Sequence, residues 1–140
     1  MKLLDVNVLV KAFRADAPGH AEAYEVVSRS RAGREPAVIL TEVAVGFARM
    51  VTHRSVFARP NTAPEAMAAL EAWCASPSLS VREAGRGRWA AFQDIMGRHA
   101  LQGGDVHDGL LAAAAISADA VLITSDRGFL RFDGLAVELL

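Results

Sequence analysis

Short apolar runs alternate with longer segments of helical period along this chain. Ala37–Leu40 and Ala120–Thr124 are near-continuous apolar runs of strand length, the pattern of strands buried on both faces. Leu79–Arg82 and Ala136–Leu139 read as two further short strands. Met1–Val10 reads as the first strand, with polar Asp5 and Asn7 near its end. Between these runs lie the helices. Pro18–Arg31 is opened by Asp16 and Pro18 and closed by Gly33. Thr41 is read as the N-cap of a helix over Glu42–His53, and Arg54–Asn61 as loop. Thr62-Ala63-Pro64-Glu65 has the capping-box pattern, and its helix runs to about Ala75, ahead of Pro77. Gly87–Leu101 carries Trp89, Phe92, Ile95 and Met96 at helical spacing. Gly103-Gly104 punctuates, and Asp105 opens a helix over Val106–Ala118. This alternation predicts an α/β fold with a mostly parallel sheet, as one domain over residues 1–140. Open sheets of that kind bind ligands at the carboxyl ends of their strands.

Composition narrows the class. Hydrophobic residues make up 52% of the chain and charged residues 22%, which excludes a disordered chain. No apolar run approaches the roughly 18 residues of a membrane span, and Asp5 and Asn7 break the first apolar stretch in a way that a signal peptide does not. A lone Cys74 leaves no intramolecular disulfide and suits a reducing cytoplasm, the expected location. The net charge of −1 gives no overall basic signature for nucleic acid. Arginines nevertheless outnumber lysines thirteen to two, and arginine is the better bidentate phosphate ligand. The same bias accompanies the alanine richness that codon usage produces.

The placement of acids carries the chemistry. Asp5 follows Leu3-Leu4, Glu42 comes two residues after Val38–Leu40, and Asp126 two residues after Val121–Thr124. Asp108 lies in the first turn of a helix beside the same edge, with Asp105 three residues earlier on one face. Each has an ordinary reading too. Asp105 and Asp108 suit helix caps, Asp126 suits a turn in Ser125-Asp126-Arg127-Gly128, and Glu42 suits a first helical turn. Asn7 is open between turn residue and site hydrogen-bonder. Asp5 is hardest to assign structurally, because a charge within an apolar first strand is costly unless paired. Two unit charges 4 Å apart repel by about 4 kcal/mol at an effective dielectric of 20. Four acids gathered at one edge therefore call for protonation or a cation. Mg2+ or Mn2+ accepts one or two carboxylates plus waters and suits phosphate chemistry.

In this order the motifs resemble those of PIN-domain ribonucleases, especially the VapC-type toxins of bacterial type II toxin–antitoxin pairs. Leu4-Asp5-Val6-Asn7-Val8-Leu9-Val10 is similar to the family's opening D-x-N strand. Glu42 and Gly46 resemble its acid-x-x-x-Gly helix. The segment Phe47 to Phe57 resembles one subgroup, Asp108 before Ala112–Ala115 the family's aspartate and Ala-rich helix, and Thr124–Phe129 with Arg131-Phe132 its last acidic turn. The likeness covers nearly the whole chain. It implies a PIN-like three-layer α/β/α sandwich and an endoribonuclease dependent on Mg2+ or Mn2+. Asp5, Glu42, Asp108 and Asp126 are then the catalytic and metal-binding acids, with Asp5 and Asp108 the direct ligands. Asn7, Ser125 and the less regular Asp105 become supporting residues. Hydrolysis of tRNA, rRNA or mRNA would leave 5′-phosphate and 3′-hydroxyl ends. A homodimer and a cognate VapB-type antitoxin are implied as partners, with no membrane.

Arg49, one helix-face step from Glu42 and Gly46, is a candidate RNA contact together with Arg54 and Arg59; all three are also ordinary surface arginines. Apolar residues of Ala66–Trp73 and Gly87–Leu101 exceed the obvious needs of one core, yet Trp73, Trp89, Phe92 and Met96 are read as core before interface. His20, His53, His99 and His107 are scattered, which argues against a metal-free histidine ribonuclease. Two other classes compete. One is a non-catalytic PIN-like binding module. The other is a Mg2+-dependent aspartyl phosphotransfer protein, disfavoured because Lys2 and Lys11 are the only lysines and Asn7 stands where a second aspartate is needed.

Overall fold

Strands too apolar to face water must lie inside a sheet covered on both sides. The computed structural model describes residues 1–140 and contains five strands: β1 (Lys2–Leu4), β2 (Ala37–Leu40), β3 (Leu79–Arg82), β4 (Val121–Thr124) and β5 (Ala136–Leu139). They form one sheet in the order β3-β2-β1-β4-β5. Every pairing is parallel, with Lys2 opposite both Ala37 and Val121. Leu3, Leu4, all of β2, Leu122 and Ile123 are buried.

Six α-helices surround the sheet: α1 (Val6–Phe13), α2 (His20–Ala32), α3 (Thr41–Val51), α4 (Ala63–Cys74), α5 (Arg88–Arg98) and α6 (Asp105–Ser117). They contact one another in two sets, α1 to α4 and α5 with α6. Right-handed crossovers explain the division. The path β1 to β2 to β3 puts its helices on one face, and the return from β3 to β4 runs in the opposite sense and puts its helices on the other. The result is the expected three-layer sandwich. No helix is long and apolar enough to cross a membrane.

Several local expectations need correction. Val6–Val10 is helix, not a continuation of β1, because Asp5 is an N-cap whose side chain accepts a hydrogen bond from the Val6 N–H at 2.6 Å. Thr41 is not a cap. Leu40 holds that position, and Thr41 Oγ1 instead donates to Glu83 Oε1 at 2.9 Å. Gly104, not Asp105, precedes α6. A short 3-10 helix over Arg127–Arg131 was not expected. The capping box at Thr62 and Glu65 is present in both directions.

The two tryptophans separate. Trp73 packs with Phe13 and Phe47 in the core. Trp89 is 63% exposed and Met96 also faces solvent, contrary to the core reading. The physical reason is that α5 lies against α6 and buries only Ile95 fully, so its other apolar residues have no second layer. The loop at Arg54–Asn61 is tied to the end of α1, where the Arg14 guanidinium donates to Arg59 O and Asn61 Oδ1 and lies over the Phe57 ring.

α1 and α3 approach each other closely at Gly46. A Cβ there would stand 2.9 Å from Val6 Cγ2. Its absence lets the helix that carries Glu42 in its first turn approach the helix that starts beside Asp5.

Candidate active site

The sheet order reverses at β1, with β2 on one side and β4 on the other. In open α/β sheets the ligand site is expected at such a switch point, beyond the carboxyl ends of the two strands. Asp5 follows β1 there, and Ser125 and Asp126 follow β4.

Asp5 forms the floor. Only 7% of it is exposed, and a buried carboxylate needs partners. Oδ1 accepts from Val6 N. Oδ2 accepts from Thr124 Oγ1 at 2.6 Å and from Asn7 Nδ2 at 2.5 Å. Thr124 is fully buried, and its hydroxyl also accepts from Asn7 Nδ2 and Asp126 N, both at 3.0 Å. That uses the one donor and two acceptor sites of a hydroxyl. Asn7 Oδ1 accepts from Ser125 N at 2.9 Å. The D-x-N spacing thus clamps β1 to β4, and Asn7 serves as a site hydrogen-bonder. Burial pushes the Asp5 carboxyl above its ordinary value. The bonds from Thr124 and Val6 oppose that shift, and the charges of Asp108 and Asp126 add to it.

Asp108 is half-buried at the start of α6. Desolvation and the Asp126 charge raise its pKa, while Arg131 opposes the rise. The Arg131 guanidinium donates to Asp105 Oδ2 at 3.1 Å and to Asp108 Oδ2 at 3.4 Å, and it lies over the Phe132 ring. Asp126 fits its turn reading, since its Oδ1 caps the 3-10 helix by accepting from Gly128 N at 2.7 Å, and its charge also acts on Asp5 and Asp108.

Asp5, Asp108 and Asp126 therefore share one electrostatic neighbourhood. Glu42 is held differently, by a short ion pair from Arg88 at the start of α5. Arg49 is two turns along α3 from Glu42, and Arg54 and Arg59 lie beyond the end of that helix, so the structure does not gather these three with the acids. Thr124, Arg88 and Arg131 are the participants that sequence reasoning missed. Thr124 had a legible signal, as the one hydroxyl ending an apolar strand. Arg131 was visible only as part of the last acidic-turn motif and Arg88 had no signal, because their acid partners are 26, 23 and 46 residues away.

A divalent cation fits this donor set. All the donors are oxygen, and buried Asp5 lies under the charge of two neighbouring acids. Ser125 Oγ is buried beside them with no hydrogen-bond partner. No three acidic, histidine or cysteine side chains form a ready-made metal group. Mg2+ does not require one, since it keeps several waters and takes one or two carboxylates.

Comparison with known proteins gives an independent reading. The PIN domain family model matches residues 2–135. A VapC ribonuclease of Mycobacterium bovis and ribonuclease VapC43 of Mycobacterium tuberculosis are each 37% identical to this chain over 132 residues, covering 94% of it and 90% of the relative. Among solved structures, VapBC2 of Rickettsia felis bound to a promoter DNA fragment matches with a TM-score of 0.70 at 17% identity, over 99% of this chain and 97% of that one. DNA-bound VapBC of Salmonella typhimurium matches at 0.68 and 19% identity, over 98% and 96%. Fold, family model and relatives agree: the chain belongs to the PIN-domain family and resembles its VapC ribonucleases over nearly its full length.

Proposed function

We propose that this chain is an endoribonuclease dependent on Mg2+ or Mn2+, the toxin of a toxin–antitoxin pair. The observation that carries the reading is the buried Asp5 carboxylate, held by Val6, Asn7 and Thr124 and crowded by the charges of Asp108 and Asp126. The relatives named as ribonucleases support the activity, and the neighbours solved as VapBC support a protein antitoxin.

Asp5 and Asp108 would hold the cation directly, Asp126 would hold a second one or orient water, and Glu42 would join once Arg88 yields it. Bound there, the cation supplies positive charge for the phosphate and makes water a better nucleophile near neutral pH. The chain's own residues do the positioning. Thr124 and Asn7 fix the Asp5 oxygens, and the unpartnered Ser125 hydroxyl is available to orient a water. Arg131 holds the Asp108 carboxylate at one angle. Water adds in line to the RNA phosphorus as the 3′-oxygen departs with a proton, leaving 5′-phosphate and 3′-hydroxyl ends. Arg49 offers a phosphate contact to RNA running along α3, with Arg54 and Arg59 beyond it.

The protein acts as a homodimer on tRNA, rRNA or mRNA in this reading. An apolar groove of about 680 Å3 between α3 and α4, bordered by Val45, Met67 and Val81, suits a segment of the antitoxin.

The test is cleavage of bacterial total RNA by the purified protein, with 5′ ends mapped. Cleavage at defined sites is expected with Mg2+ or Mn2+ and none in EDTA. Asp5→Asn slows it on the order of a hundred- to a thousandfold, the scale on which losing one aimed electrostatic group acts. Full cleavage by Asp5→Asn, or in EDTA, would remove the proposal.

A further inference from the structure

Trp89 is exposed, and it stands in the first turn of the helix whose Arg88 pairs with Glu42. It follows Arg88, whose guanidinium has Glu42 as its only hydrogen-bond partner. Its ring lies 5.6 Å from that of Phe92. Phe92 in turn reaches α6, with Cε2 3.7 Å from where a Cβ of Gly109 would stand, and Gly109 follows Asp108. Two contacts thus tie the first turn of α5 to the acidic set, one through Glu42 and one through the neighbour of Asp108. Arg86 is exposed three residues before Trp89.

An exposed indole, one residue along the helix from a guanidinium with free N–H groups, has the chemistry of a nucleotide platform. Bases stack on aromatic rings, and arginine takes the adjoining phosphate. A base must be unpaired to offer its face, so the surface selects single-stranded RNA. Arg88 already has Glu42 as its counter-charge, but a purely apolar partner would cover exposed Arg86 without one, whereas an RNA backbone supplies it.

We propose that Trp89 and Arg88 form a substrate-binding platform on which an unpaired nucleotide next to the scissile bond stacks, with Arg88 passing from Glu42 to an RNA phosphate. This rests on the ribonuclease reading and adds to it a determinant of single-strand selectivity. The exchange would also release Glu42 as RNA arrives.

The experiment uses the full chain carrying Asp5→Asn to prevent cleavage and Trp73→Phe to leave Trp89 as the only indole. Its emission is titrated with a single-stranded adenosine 12-mer and with the same strand in a duplex. Saturable quenching by the single strand alone is expected. Trp89→Ala should weaken binding, followed by anisotropy of labelled RNA, by about five- to a hundredfold, the range for loss of one stacked base. Trp89→Phe should recover most of it, and Arg88→Gln should weaken binding and flatten its salt dependence. Unchanged affinity in Trp89→Ala, or binding without quenching, overturns the platform. So does a Trp89→Ala protein that alters only self-association, measured by sedimentation, because Trp89 would then be a protein interface. If the platform alone fails, the Trp89→Ala protein without Asp5→Asn still cleaves RNA with unchanged KM. If the ribonuclease reading fails, the parent chain cleaves nothing.

Discussion

Asp5 and Asp108 lie at the same sheet edge and carry the same group, yet they are held by different physics. Asp5 is buried, and each of its oxygens is bonded to neutral donors on β4, α1 or the chain just after it. Asp108 is half-buried and leans on a cation, as Glu42 does on Arg88. Neutral donors leave the floor's negative charge in place and fix where it points. Arginines on the rim cancel charge and can be exchanged, because half-exposed ion pairs contribute little to stability. A rigid acidic floor with a replaceable cationic rim is the arrangement expected where a metal and then an RNA phosphate must enter.

The contrast is most sharply broken at Thr124. Thr124→Val keeps the shape but strips Asp5, Asn7 and Asp126 N of a shared partner. It should cost about 1–3 kcal/mol in urea unfolding, and Thr124→Ser should recover most of it. A cost near zero would mean that the hydroxyl does not organise the floor.

A pH series separates floor from rim without relying on bond counts. Asp5 sits above its ordinary value in the folded chain, so the folded state holds its proton more tightly than the unfolded state. The contribution is fully present below the unfolded value and is lost as pH rises through the raised one. Metal-free wild type should therefore lose stability relative to Asp5→Asn as pH climbs from the acid range towards neutrality. The slope is at most about 1.4 kcal/mol per pH unit for one group. Parallel curves for the two proteins in EDTA would contradict the raised value. Mg2+ should restore wild type at neutral pH and leave Asp5→Asn unmoved, since a ligand stabilises only the state that binds it.

The smallest effect belongs to the rim. Arg131→Gln should change folding stability by less than about 1 kcal/mol, read from thermal unfolding. A larger loss would make Arg131 part of the fold rather than an exchangeable counter-charge.

Much of the architecture was legible locally. The apolar runs of β2 and β4 could only be strands covered on both faces, and Thr62 with Glu65 announced its helix outright. Val6–Val10 misled because a short apolar run lacks the length to show its period. Asp5 as a cap was the signal that outweighed it. Trp89 misled for another reason. Its spacing on the helix is amphipathic, but α5 lies mainly against α6, so the apolar stripe is wider than the surface available to cover it.

The sequence by itself determined most of the strands and helices, Val6–Val10 and the 3-10 helix excepted, and which acids end strands, because period, caps and burial act over a few residues. It left open which of those acids would meet. That was decided by the reversal of strand order between β1 and β4, by the close approach of α1 and α3 at Gly46, and by arginines drawn from distant segments. Such pairings are set by the three-dimensional path of the chain, and a carboxylate's charge, partners and reach are properties of the neighbours that path brings to it.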